Sequence, residues 1–215
     1  MSDLALRQDI LDELEFEPRI DAANIGVAVA KGVVTLTGHV SSYAQKVAAE
    51  AAARRVKGVR AIAQEIEVRF PFEKKDSDDE IAKRVADILQ WDSMVPDQAI
   101  QVSVQKGWVT LTGTVDWQYQ RMAAENDVRI LSGVVGLNNQ IKVNPQIVVP
   151  DLQKRIEAAL KRNAEIEAKG IRIKVLGGTV TLSGVVHDWI EHDAIRNAAW
   201  SASGVRMVED HLTIS

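Results

Sequence analysis

Four histidines, His39, His187, His192 and His211, are the most versatile catalytic and metal-binding side chains in the sequence. Their spacing offers little chemistry. His187 and His192 stand five residues apart, whereas the zinc-binding H-E-x-x-H pair stands four apart on one helix face. With no cysteine present, thiolate nucleophiles, disulfides and sulfur ligation of metals are excluded. Ser41, Ser42 and the repeated threonines lack a neighbouring histidine or lysine that would activate a hydroxyl. The acidic run Asp76-Ser77-Asp78-Asp79-Glu80 lacks the glycine and the closing glutamate of a calcium loop. No glycine-rich phosphate loop occurs either. These residues predict no catalytic site, no metal site and no cofactor. The chain reads as a binding protein.

Binding chemistry has two possible carriers, aromatic rings and one basic cluster. Tyr43 and Trp189 fall at the same place near the start of a helix, with Trp117 and Tyr119 adjacent to that place in a third copy. On an exposed first turn these rings, with Arg121, would anchor at a lipid headgroup layer or on a protein partner. If packed, they would instead cover a hairpin end or a neighbouring repeat. Trp91, Trp108 and Trp200 lack aromatic counterparts and are expected to pack between repeats. Lys154, Arg155, Lys161, Arg162, Lys169, Arg172 and Lys174 cluster in the last third of the chain. Lys161, Arg162, Lys169, Arg172 and Lys174 would attract an anionic surface if they faced one way; otherwise they form an ordinary solvated face. A net charge of −4, with no basic repeat, speaks against nucleic-acid binding.

The elements that must position these groups occur in triplicate. Lys31-Gly32-Val33-Val34-Thr35-Leu36-Thr37-Gly38-His39-Val40 returns as Lys106 to Val115 and again as Gly177 to Val186, with the skeleton G-x-V-T-L-[TS]-G-x-V. A period of roughly 70 residues is too long for solenoid units and suits three small domains in a row. Each copy opens with a helix whose apolar stripe is Leu6, Ile10, Leu14; then Ile81, Val85, Leu89; then Leu152, Ile156, Leu160. Ser77 to Glu80 and Pro150-Asp151 mark two of the helix starts. A strand with period-two apolar positions follows (Ile25, Val27, Val29 in the first copy), and the repeated stretch is the next strand. Gly32, Gly107 and Gly178 are expected in a three-residue hairpin loop with a bulge, as the position that demands φ > 0.

A second helix begins at Ser42, Asp116 or Asp188 and runs to Gly58, Gly133 or Gly204, each read as a C-terminal cap. Gly38, Gly113 and Gly184 are read with the turns. A last alternating strand closes each unit. The expected fold class is α+β, three tandem αββαβ units with two helices on one face of a three-stranded, mixed sheet. The boundaries fall at 1–69, 76–144 and 150–215. Links at 70–75 and 145–149 carry apolar residues and are expected to pack against neighbouring repeats.

With the alanine-rich helix, the following Gly-Val (Gly58-Val59, Gly133-Val134, Gly204-Val205) and the alternating final strand, the motif resembles the BON domain of bacterial osmotic-stress and nodulation-type proteins. The resemblance implies the αββαβ fold, no enzymatic activity and a role in binding phospholipid or envelope surfaces, often under osmotic stress; some members are associated with potassium. An acidic, amphipathic N-terminus and the lack of a long apolar run place the expected protein in the cytoplasm, with anionic phospholipid or a protein as partner. The alternatives are a soluble scaffold or homo-oligomer, and sensing of potassium or a small ligand.

Overall fold

In the first repeat, helix α1 (Asp3–Phe16) leads into strands β1 (Ile25–Ala30) and β2 (Val33–Val40), helix α2 (Tyr43–Arg55) and strand β3 (Ala61–Val68). The middle repeat runs α3 (Asp78–Trp91), β4 (Ile100–Gln105), β5 (Trp108–Val115), α4 (Gln118–Arg129), then a short β6 (Gly136–Asn139) and β7 (Lys142–Val143). The third runs α5 (Leu152–Arg162), β8 (Arg172–Leu176), β9 (Thr179–Val186), α6 (Trp189–Trp200) and β10 (Met207–Ile214). This computed structural model describes residues 2–70, 77–145, 150–163 and 170–214. Most of both links, and Lys169, lie outside the described residues. By contacts the chain divides into two compact units, and the division passes through the middle repeat.

The repeated stretch is the central strand of each sheet. In the first repeat β2 pairs antiparallel with β1, Val27 opposite Leu36, and parallel with β3, Leu36 opposite Gln64. The third repeat repeats this arrangement, with β9 between β8 and β10. The sheets are therefore mixed, because the β-α-β crossover returns the chain parallel to the strand it left. In the middle repeat the last strand is interrupted: β6 and β7 both border β5, and the Gln140 N–H donates to the Leu111 carbonyl at 2.8 Å between them.

Alternation decides which face of each strand meets the helices. Val34, Leu36 and Val40 are buried with Leu6, Ile10 and Leu14 of α1 and with Ala48, Ala49, Ala52 and Ala53 of α2. Small side chains on α2 let its axis lie close to the sheet. Fully burying a side chain such as Ile10 or Leu36 contributes about 1.5–3 kcal/mol. Leu152, Ile156, Leu160, Val180, Leu182, Ile195 and Ala199 form the matching core of the third repeat.

Several local expectations need correction. The hairpin between β1 and β2 has a two-residue loop, since Ala30 pairs with Val33. Both loop residues are left-handed, Lys31 at φ 52° and Gly32 at φ 76°, as a type I′ turn requires. The lysine is held there by the Asp3 carboxylate, which accepts the N–H groups of Lys31 (2.9 Å) and Gly32 (3.3 Å). Asp78 does the same for Lys106 and Gly107, at 2.7 and 2.8 Å. The third repeat has two glycines, Gly177 and Gly178, in the turn instead.

Gly38, Gly113 and Gly184 lie inside β2, β5 and β9 rather than at turns. A Cβ at Gly38 would sit 2.0 Å from the Asn24 carbonyl oxygen, so the constraint is close backbone approach. The second helices end at Arg55, Arg129 and Trp200, before Gly58, Gly133 and Gly204. Those glycines form the turn beyond the helix, where the Gly58 carbonyl approaches Gly32 and the Arg60 N–H donates to the Gly32 carbonyl at 2.9 Å. Helix α4 begins at Gln118, which puts Trp117 rather than Asp116 at its N-cap place. Asp151 is itself left-handed and makes no side-chain cap to α5.

Candidate binding surfaces

Each second helix is tied to the last strand at one polar position. In the first repeat the Gln64 side chain donates to the Lys46 carbonyl at 3.4 Å. In the middle repeat Asn139 donates to the Arg121 carbonyl, and the Arg121 guanidinium returns a bond to the Asn139 carbonyl, both at 3.2 Å. The third repeat replaces this amide tie with an ionisable one. Buried His192 places Nε2 3.0 Å from Asp210 Oδ2 and Nδ1 3.3 Å from Asp193 Oδ1. A carboxylate cannot donate to a helix carbonyl as an amide does, so the imidazole supplies the hydrogen in its place. The three amide or carboxylate side chains share a second task, each accepting the N–H two residues on, from Ile66, Ile141 and Leu212.

This framework fixes where the aromatic rings go. Trp189, at the start of α6, lies edge-on to His192 with centroids 5.1 Å apart, within its own repeat. Tyr43 is half-buried beside Glu125, Arg129 and the Leu137 backbone of the middle repeat, and burial raises its phenol pKa above the ordinary value. Trp117 is half-buried, and its backbone N–H donates to Gln120 Oε1 at 3.0 Å. Gln120 closes a capping box with the residues before the helix, as do Gln45 and Glu191. The spacing from Ser42 to Gln45 and from Asp188 to Glu191 carries that signal in the sequence. Tyr119 is the exposed ring of this group, at 51%.

The basic residues are not gathered on one face. Lys161 and Arg162 end α5 and are exposed. Arg172 and Lys174 are exposed on β8, where alternation with buried Ile173 points them to the sheet face away from the helices. The expectation that Trp91 packs between repeats fails, while Trp108 and Trp200 make contacts within their own repeats. Trp91, at the end of α3, is 86% exposed, and its counterpart in the first repeat is an equally exposed aromatic, Phe16. Trp108 lies across Gly136 of its own repeat, where an added Cβ would come within 2.5 Å of the indole. Trp200 packs on the core of the third repeat.

The groove between the two helices is where the repeats differ most. In the first repeat Arg55 reaches Glu13 at 2.8 Å and Glu17 at 3.2 Å, and Glu17 also pairs with Arg19 at 2.8 Å. The Arg19 guanidinium, outweighing the effect of burial, holds the Glu17 carboxyl down at about 2. The middle repeat has Ile88 and Ile130 in place of Glu13 and Arg55, and Ile130 is 70% exposed. The third has Ala159 and Ser201 there, and a cleft of about 390 Å³ opens with Arg155 and Arg162 on its walls. Ion pairs, apolar side chains and an open basic cleft thus occupy one place in three copies.

The BON domain model matches the sequence three times, at residues 2–69, 77–145 and 149–215. The chain belongs to the BON domain family. Among relatives of this BON protein, Osmotically-inducible protein Y of Escherichia coli (strain K12) is 31% identical over 146 residues, covering 66% of this chain and 73% of that protein. A protein of Anaplasma centrale from the gshII 5′ region is 28% identical over 123 residues, covering 54% of this chain and 82% of its own. Two solved structures of CdsD, a structural protein of the type III secretion system of Chlamydia trachomatis, align along 98–100% of the chain at 13–15% identity and a TM-score of 0.28, too low to support an argument. Among the described residues, no helix of the BON repeats is long and apolar enough to cross a membrane, and no group of three or more histidine or acidic side chains could hold a metal ion.

Proposed function

We propose that this BON protein is a non-enzymatic binding protein that associates with phospholipid membrane surfaces during an osmotic-stress response. The supporting observation is the outward placement of Trp91 and Ile130, 86% and 70% exposed at the helix ends of the middle repeat. An indole and an aliphatic side chain held in water at a helix end suit the headgroup boundary, where the apolar body is buried and the N–H stays wet. Phe16 extends the same chemistry to the first repeat, and Tyr119 remains available as a further ring. Lys161, Arg162, Arg172 and Lys174 add attraction to anionic lipid of about 1 kcal/mol for each group that lies near the surface. Because the last two face away from the helices, the four do not all act on one flat surface. The stress context follows the relative whose name records osmotic induction.

The test is co-sedimentation with phosphatidylglycerol and phosphatidylcholine vesicles. Wild-type protein should bind the anionic vesicles at low salt, and Trp91→Ala should weaken binding about tenfold, the loss of one interfacial indole. Failure of the wild-type protein to bind either vesicle at low salt would remove this reading.

A further inference from the structure

We infer that the interhelix cleft of the third repeat is a binding site for a small molecule carrying two anionic groups, phosphate or carboxylate. The inference does not rest on the membrane reading. In the first repeat the same groove is closed from inside, since Arg55 bridges Glu13 and Glu17. In the third repeat Ala159, Ser201 and Asn163 stand at those three positions, and the space once filled by charged side chains is open. The resulting cleft, about 390 Å³, has the size of a small-molecule site. Its walls carry Arg155 and Arg162, Ser201 and Ser203, and a floor of alanines, with no carboxylate among the described lining residues.

The spacing of the two arginines makes the cleft selective for a two-ended anion. Arg155 and Arg162 are seven residues apart on α5, two helical turns on one face, so they address points about 10 Å apart along the axis. One guanidinium can therefore grip each end of an elongated ligand by paired N–H donors. In the middle repeat the counterpart of Arg155, Arg84, gives its guanidinium to the Ser132 carbonyl at 3.4 Å, and Ile88 and Ile130 stand where the first repeat has Glu13 and Arg55. Among the described residues, the third repeat joins two arginines on the wall to an open cleft. The Ser201 hydroxyl donates to the Asn197 carbonyl at 2.8 Å, which leaves its oxygen as an acceptor for a protonated ligand oxygen.

Isothermal titration of the full chain with citrate and with inorganic pyrophosphate, at ionic strength matched with sodium chloride, tests the inference. Saturable binding of at least one probe is expected. Arg155→Ala should weaken it about tenfold or more, the loss of one charge-assisted contact. Ala159→Glu, which restores the acid of the first repeat, should abolish it by pairing the arginines internally. No saturable heat with either probe overturns the inference, as does binding that both variants leave unchanged. The membrane reading is judged separately, on phosphatidylglycerol vesicles. Binding of vesicles but of neither soluble probe overturns the cleft and leaves the membrane reading standing.

Discussion

The first and third repeats share a backbone and a core but treat the groove between their helices in opposite ways. The first fills it with an acid–base network centred on Arg55, and the third leaves it open between Arg155 and Arg162. Neither change touches the core stripes Leu6, Ile10, Leu14 and Leu152, Ile156, Leu160, which are buried alike. A groove lined by helix ends lies beside the core rather than within it, so its residues can vary without loss of the fold. The BON unit needs its core stripes, and the groove is where one copy differs from another.

The largest effect is expected where the two repeats are built alike but with different clearance. A Cβ at Gly38 would lie 2.0 Å from a carbonyl oxygen, and one at Gly184 2.7 Å from its counterpart. Gly38→Ala should cost about 3 kcal/mol or more in urea denaturation, and Gly184→Ala clearly less. Equal costs would break the view that strand packing is tighter in the first repeat. Next in size is the groove itself. Arg55→Ala should lower stability by about 1 kcal/mol, because it leaves the buried Glu17 with one cation instead of two. Ser201→Ala, at the same place in the third repeat, should change stability by less than about 0.5 kcal/mol.

The smallest effect concerns acid. The Glu17 carboxyl is held at about 2 by Arg19, below its ordinary value near 4.5. A depressed acid stabilises the folded state above its unfolded pKa, and that contribution disappears as pH falls through the folded value. Wild-type protein should therefore lose stability between about pH 4.5 and 2 relative to Glu17→Gln, seen as converging urea midpoints. Asn163 stands at this place in the third repeat, so that repeat has no titrating group there to add to the slope.

The site was less legible in the sequence than the fold. Trp91 reads as a packing residue because tryptophan is usually buried; the 75-residue offset that aligns Leu14 with Leu89 also puts Phe16 opposite it, but the exposure of both rings is seen only in the fold. His192 has no histidine counterpart, yet its partner Asp210 occupies the place of Gln64 and Asn139, a pairing that depends on a strand far along the chain lying beside α6. The basic cluster looks continuous in sequence and is divided in space, since Arg172 and Lys174 obey the two-residue period of a strand.

By itself the sequence determined the number of repeats, the order of helices and strands and the identity of the buried stripes. These are properties of periodicity and local propensity, repeated three times in register. Only the tertiary structure decided that Lys31 shares a two-residue turn held by Asp3, that Gly38 is a strand glycine pressed on Asn24, and that one groove is closed while its counterpart is open. Each of these depends on atoms many residues apart meeting across two packed elements. Spacing along the chain records no such distance.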